Sequence, residues 1–123
     1  MVEETLVNEG RLVVRTLHDQ GIPLEFAVWF ADPSSEGMRL AIGSHSIDQI
    51  GPTAAYQQIA ATVESIKDQI RLFRLDLLKL VSVESQIGRA LLRSFGNKTG
   101  DSIVGMYVSP EVVLQQVFAY GTA

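Results

Sequence analysis

The densest group of chemically able side chains is Ser44-His45-Ser46-Ile47-Asp48, which puts an imidazole, two hydroxyls and a carboxylate within five residues. These are the residue types of hydrolysis by an activated hydroxyl, where imidazole takes the proton of the attacking oxygen and a carboxylate orients the ring. A hydrolase built on them would use His45 and Asp48 as the acid-base pair, with Ser44 or Arg39 assisting. Such chemistry requires the groups to converge within about 3 Å of one another in a concave site. Adjacency along the chain does not supply that, and a polar connection leading to Gly51 accounts for the same residues.

Other groups are weaker for stated physical reasons. A metal site formed by His18 and His45 with Asp19 or Asp48 needs a helix end to meet a strand end. His18 is equally accounted for by the last turn of a helix, where an imidazolium interacts favourably with the negative helix end. Gly96-Asn97-Lys98-Thr99-Gly100 contains the lysine and threonine of a phosphate loop. It leaves a helix and enters a strand, however, whereas phosphate is cradled where a strand passes into a helix N-terminus. Arg71, Arg74, Arg89 and Arg93 could make a phosphate-binding patch, but no aromatic residues interleave with them for base stacking. Local carboxylates are their expected partners.

Trp29 and Arg39 form the most interesting pair for binding. The runs Leu24 to Ala31 and Met38 to Gly43 alternate apolar and other residues on either side of Asp32-Pro33-Ser34-Ser35-Glu36-Gly37, the pattern of a β-hairpin. A register that buries Leu24, Phe26, Val28 and Phe30 beside Met38, Leu40 and Ile42 leaves Trp29 on the opposite face, with Arg39 or Ala41 as its cross-strand neighbour. Indole and guanidinium would then form an exposed pair of the kind enriched at interface hot spots.

The elements that must position these groups are legible in outline. Helical spacing runs from Glu3 to about Gln20, with Gly21 and Pro23 as stop signals. Ser44 to Ile50 reads as a connection. Gly51-Pro52 starts a second helix, whose stripe is Tyr56, Ile59, Val63, Ile66 and Ile70. Residues 71–83 fit either helix or strand; a turn followed by a strand from Leu78 to Ser82, buried at the sheet centre, is the favoured reading over a continued helix. A third helix covers Glu84 to Phe95, and two final strands cover Ser102 to Val108 and Val113 to Tyr120. The last run carries no charge, so it should lie inside the sheet or pair across a dimer.

The order helix-strand-strand-helix-strand-helix-strand-strand predicts an α+β domain: one mainly antiparallel sheet with helices chiefly on one face, all of 1–123 in a single domain. A chain of 123 residues should bury roughly two thirds of its unfolded surface. Hydrophobic residues make up 46% of it and charged residues 20%, a balance that fits either a dense core or apolar surface left for a partner. Net charge is −4, which makes nucleic acid an unlikely partner. The chain has no cysteine, so thiolate catalysis, disulfides and sulfur-ligated metals are out, and the cytoplasm is the expected compartment. No apolar run approaches the roughly 18 residues of a membrane span.

The Gly10 helix ending at Gly21, the Trp29 strand, Arg39-Leu40-Ala41-Ile42, Gly51-Pro52 with Tyr56-Gln57-Gln58-Ile59, and Val117-Phe118-Ala119-Tyr120 together resemble a group of small uncharacterised bacterial α+β proteins. The chain departs from that pattern at Gly37-Met38, where the group's pattern has a second bulky aromatic before the arginine. The resemblance implies a fold and no activity. The expectation is therefore a protein that binds rather than catalyses, a homo-oligomer or a partner of another protein, with no cofactor, no metal and an unidentified small-molecule ligand at most.

Overall fold

Every residue of the run Phe26–Phe30 is buried, so this strand lies at the heart of the protein. A computed structural model describes residues 3–34 and 37–122, leaving the tip of the expected hairpin loop, Ser35-Glu36, outside the described residues. Phe26–Ala31 (β1) and Met38–Gly43 (β2) pair antiparallel, as the alternation predicts. Their register is one residue away from the expected one. Trp29 lies opposite Leu40, Ala27 opposite Ile42 and Ala31 opposite Met38, while Phe30 faces Arg39 and Val28 faces Ala41.

Complementary size explains the choice. Both faces of β1 are apolar, so its own alternation does not select a register; β2 is large on one face and small on the other. On the smaller face Ala41 receives Val28 and Gly43 receives Phe26, with Phe30 beside Arg39. At Gly43 the fit is so close that a Cβ would collide with the Phe26 ring. A slip by one residue would move each set to the wrong side.

Helix α1 (Glu4–Asp19) ends as expected at Gly21, whose φ of +87° suits glycine. The polar connection predicted after β2 is instead a short helix, α2 (His45–Ile50), because Ser44 Oγ accepts a 3.0 Å bond from the Ile47 N–H while Ile47 anchors the turn in the core. Gly51, at φ +88°, breaks the direction, and Pro52 opens α3 (Pro52–Ser65). That helix is shorter than its apolar stripe. Ala55, Ile59 and Thr62 form its buried side, Tyr56 is exposed, and a 3₁₀ turn at Lys67–Gln69 carries Ile66 and Ile70 onward to the same core.

Residues 71–77 are irregular, ending in a 3₁₀ turn, and then form β3 (Leu78–Leu80). This strand pairs parallel to β2 at the sheet edge, not at the centre as the continuous apolar run suggested. Leu78 and Leu80 pack there against the core that holds Trp29, Leu40 and Ile42. Helix α4 (Gln86–Phe95) follows, capped by Ser85, and then β4 (Ser102–Val108) and β5 (Val113–Ala119). The sheet order is β3-β2-β1-β5-β4, so β5 is interior, one of the two places expected for it, and β4 is the outer strand.

The architecture is α+β with a mainly antiparallel five-stranded sheet. α1, α2 and α3 pack against the face carrying Trp29, Leu40 and Ile42, and α4 covers the opposite face over Phe26, Val28, Leu91 and Phe95. Among the described residues, no helix is long and apolar enough to cross a membrane.

Candidate functional site

The residues that suggested hydrolysis are present as neighbours in sequence, yet their atoms serve the scaffold. Ser44 is fully buried and its oxygen caps α2. Asp48 Oδ2 accepts from the Ser82 hydroxyl at 2.9 Å and from the Val83 N–H at 3.2 Å, clipping α2 to the turn before α4. The backbone N–H of His45 donates to Glu25 Oε2 at 2.9 Å, and the residue is exposed. The Asp48 carboxylate therefore serves the 82–83 turn rather than orienting the imidazole of His45.

Trp29 and Arg39 are separated by the sheet. Because the register is shifted, Trp29 lies wholly buried beneath the helices, and Arg39 belongs to the α4 side with Phe30. The shared exposed face expected for them does not exist. Instead, Trp29 Nε1 donates a 2.7 Å bond to Tyr120 Oη, which in turn donates to the Val7 carbonyl at 2.5 Å. Burial pushes the Tyr120 phenol well above its usual range, so it remains a neutral donor. Gly10 permits this approach: a Cβ there would strike Tyr120 Oη and crowd the indole.

A second network ties the same helix to the start of β4. Arg11 Nη2 meets Asp101 Oδ2 at 2.7 Å, and Asp101 Oδ1 accepts from the Gly121 N–H at 2.8 Å. The Arg11 hydrogen bond holds the Asp101 carboxyl below its ordinary range against a partial cost of burial. On the other side of α1, buried Glu9 accepts backbone N–H bonds from Arg71, Leu72 and Phe73, each 2.8 Å long. Burial alone would raise its carboxyl; these three donors outweigh it and the net shift is downward.

The remaining sequence candidates are surface features. Of the four arginines expected to pair with local carboxylates, Arg74, Arg89 and Arg93 meet Asp76, Glu84 and Glu111 at 3.4, 3.6 and 3.6 Å, while the charge of Arg71 acts on Glu9. The loop after α4 is fixed by backbone bonds from Asn97 N to the Glu25 carbonyl and from Thr122 N to the Lys98 carbonyl. His18 Nδ1 lies 3.8 Å from Asp19 in the last turn of α1. Together with Arg11, Arg15 and Tyr120 it borders a cleft of about 250 Å³. Among the described residues, no three His, Asp or Glu side chains are grouped to hold a metal ion.

The feature that sequence reasoning missed is the outer end of the sheet. Gln116 adopts φ +55°, and the pairing of β5 with β1 shifts there. As a result Leu114, Val117 and Ala119 all point to the α4 side, and Val104 and Tyr107 of β4 follow them. The other side of the β4–β5 ribbon receives Ile103, Met106, Val108 and Val113, which are 62, 57, 64 and 58% exposed. Val108 and Val113 are directly paired, and Ile103 faces the half-buried Phe118. Helix α1 reaches Tyr120 but leaves this strip bare. The outer backbone edge of β4 has no strand partner among the described residues.

The signal was present in the chain as Ser102-Ile103-Val104-Gly105-Met106-Tyr107-Val108, a strand without charge or proline. Comparison with protein-family descriptions, with curated proteins and with solved structures gives no match, so the site rests on this chain's own geometry.

Proposed function

We propose that this is a non-catalytic binding protein that acts through assembly, pairing with a second copy of itself along the outer edge of β4. The observation that carries this reading is the coincidence of an unpaired strand edge with four exposed apolar side chains on one face. Natural edge strands are commonly blunted by lysine, proline or a covering segment, and β4 has no lysine or proline.

A second copy suits this edge for two reasons. Antiparallel pairing of β4 with its symmetry mate continues the antiparallel order of β1, β5 and β4, and a two-fold interface requires a self-complementary surface. With no charged residue in Ser102–Val108, self-pairing opposes no like charges. Nearby acids are also neutralised, Asp101 by Arg11 and Glu111 by Arg93. The seven-residue edge is about 23 Å long, enough for a small interface below the roughly 800 Å² per partner of a standard one, so a micromolar dimer is expected. The lack of cysteine fits assembly in a reducing cytoplasm.

Sedimentation across the micromolar range tests this. The wild-type chain should move from monomer to dimer, and Val108→Lys should remain monomeric with an unchanged circular dichroism spectrum. A wild-type chain that stays monomeric at high micromolar concentration, or a Val108→Lys chain that still dimerises, overturns the proposal.

A further inference from the structure

Helix α1 carries a row of basic side chains that neither the core nor the edge of β4 requires. Arg11, Arg15 and His18 follow one another at intervals of four and three residues, which puts them on one face of the helix. That face borders the cleft of about 250 Å³, whose other wall is the chain after β5 at Tyr120, Gly121 and Thr122. Val14 and Leu24 supply the apolar part of the lining. The volume suits one compact molecule.

The charge bordering the cleft is of one sign. Fourteen acidic residues outnumber ten lysines and arginines in the chain, yet no Asp or Glu among the described residues lines this cleft. The acids that adjoin its lining residues are placed elsewhere. Asp101 is taken by Arg11 and the Gly121 N–H, Glu25 accepts from the His45 N–H, and Asp19, beside His18, is 72% exposed. Arg15, between Arg11 and His18 in the row, has no carboxylate within ion-pair distance among the described residues.

Both walls are held by the protein itself. Arg11 meets Asp101 through Nη2 and lies over the Tyr120 ring at 5.3 Å, so the rest of its five-donor fork remains for another acceptor. On the other wall the Thr122 N–H donates to the Lys98 carbonyl at 2.8 Å and the Thr122 hydroxyl to the Glu25 carbonyl at 3.1 Å. With the Gly121 N–H on Asp101, the donors of that wall are spent. An occupant therefore meets the basic row.

We infer that this cleft binds a small phosphomonoester, its phosphate held by Arg15 between Arg11 and His18 and its organic part against Val14 and Leu24. Three donor side chains in a row suit the three terminal oxygens of a phosphate better than the two of a carboxylate, and the planar fork of arginine matches phosphate in bidentate fashion. The inference does not rest on the pairing of β4.

Titration calorimetry with phenyl phosphate, and with benzoate as an aromatic anion that lacks the phosphate, tests it. Phenyl phosphate should bind one per chain and about tenfold or more tightly than benzoate. Arg15→Gln, at an exposed position, should weaken phenyl phosphate by about tenfold or more with an unchanged circular dichroism spectrum, the loss expected when a charge-assisted partner is removed. Arg74→Gln makes the same change of charge away from the cleft and should bind as the wild type does. Absence of saturable phenyl phosphate binding overturns the inference, as does equal affinity for the two anions or an equal loss in Arg15→Gln and Arg74→Gln. Neither substitution lies in β4, so these outcomes are separate from those of the assembly test.

Discussion

The α1 side of the sheet is finished in two different ways. Over β1 and β2 it is sealed: Trp29, Leu40 and Ile42 are fully buried, Gly10 lets α1 approach closely, and the indole N–H and the Tyr120 hydroxyl are paired. Over β4 the same side is bare, with Ile103, Met106, Val108 and Val113 in solvent. The sealed half joins close packing at Gly10 to paired polar groups at Trp29 and Tyr120. The bare half keeps a backbone edge with no strand partner among the described residues, as the proposed pairing with a second copy requires.

The contrast can be broken from the sealed side first. Trp29→Ala should cost about 3 to 5 kcal/mol, the range for emptying a large aromatic from a core, read as a drop in the urea midpoint. Gly10→Val should be nearly as damaging, about 3 kcal/mol, since the added carbons meet Tyr120 and Trp29 rather than a gap. Tyr120→Phe retains the ring and deprives Trp29 Nε1 and the Val7 carbonyl of their partner, for a loss of about 1 to 3 kcal/mol.

Acid sharpens the comparison further. Glu9 has a folded-state pKa below its unfolded value, which is about 4.3. Its contribution is thus fully present above that value and is lost as pH falls through the lower folded pKa. Glu9→Gln should destabilise the protein at neutral pH by about 1 to 2 kcal/mol and flatten the acid limb of a stability profile. Unaltered acid sensitivity in that variant would falsify the assignment. Val108→Lys belongs at the bottom of the scale. It should change monomer stability by less than about 0.5 kcal/mol, measured by the same urea titration, because its side chain is 64% exposed.

How much of this the chain announces depends on whether the governing contact is local. Helix ends at Gly21 and Gly51-Pro52 are local, and they are where the residues place them. The hairpin was legible too, but its register was not, since β1 is apolar on both faces and only the small residues Ala41 and Gly43 opposite Val28 and Phe26 decide it. That single-residue shift is why Trp29 and Arg39 part company. Helix α2 is too short to show a period, although Ser44 followed three residues later by Ile47 carried its cap and its anchor. The bulge at Gln116 and its effect on β4 depend on pairing between distant strands, so the bare strip was hidden behind an alternation that looked regular.

The central claim is that the outer edge of β4 finds a strand from a second copy. Amide hydrogen exchange, followed residue by residue at two protein concentrations, addresses it most directly. The outward amides of Ser102–Val108 should exchange quickly in dilute protein and become protected at high concentration, while those of β1 stay protected throughout. Exchange in β4 that is independent of concentration would contradict the account.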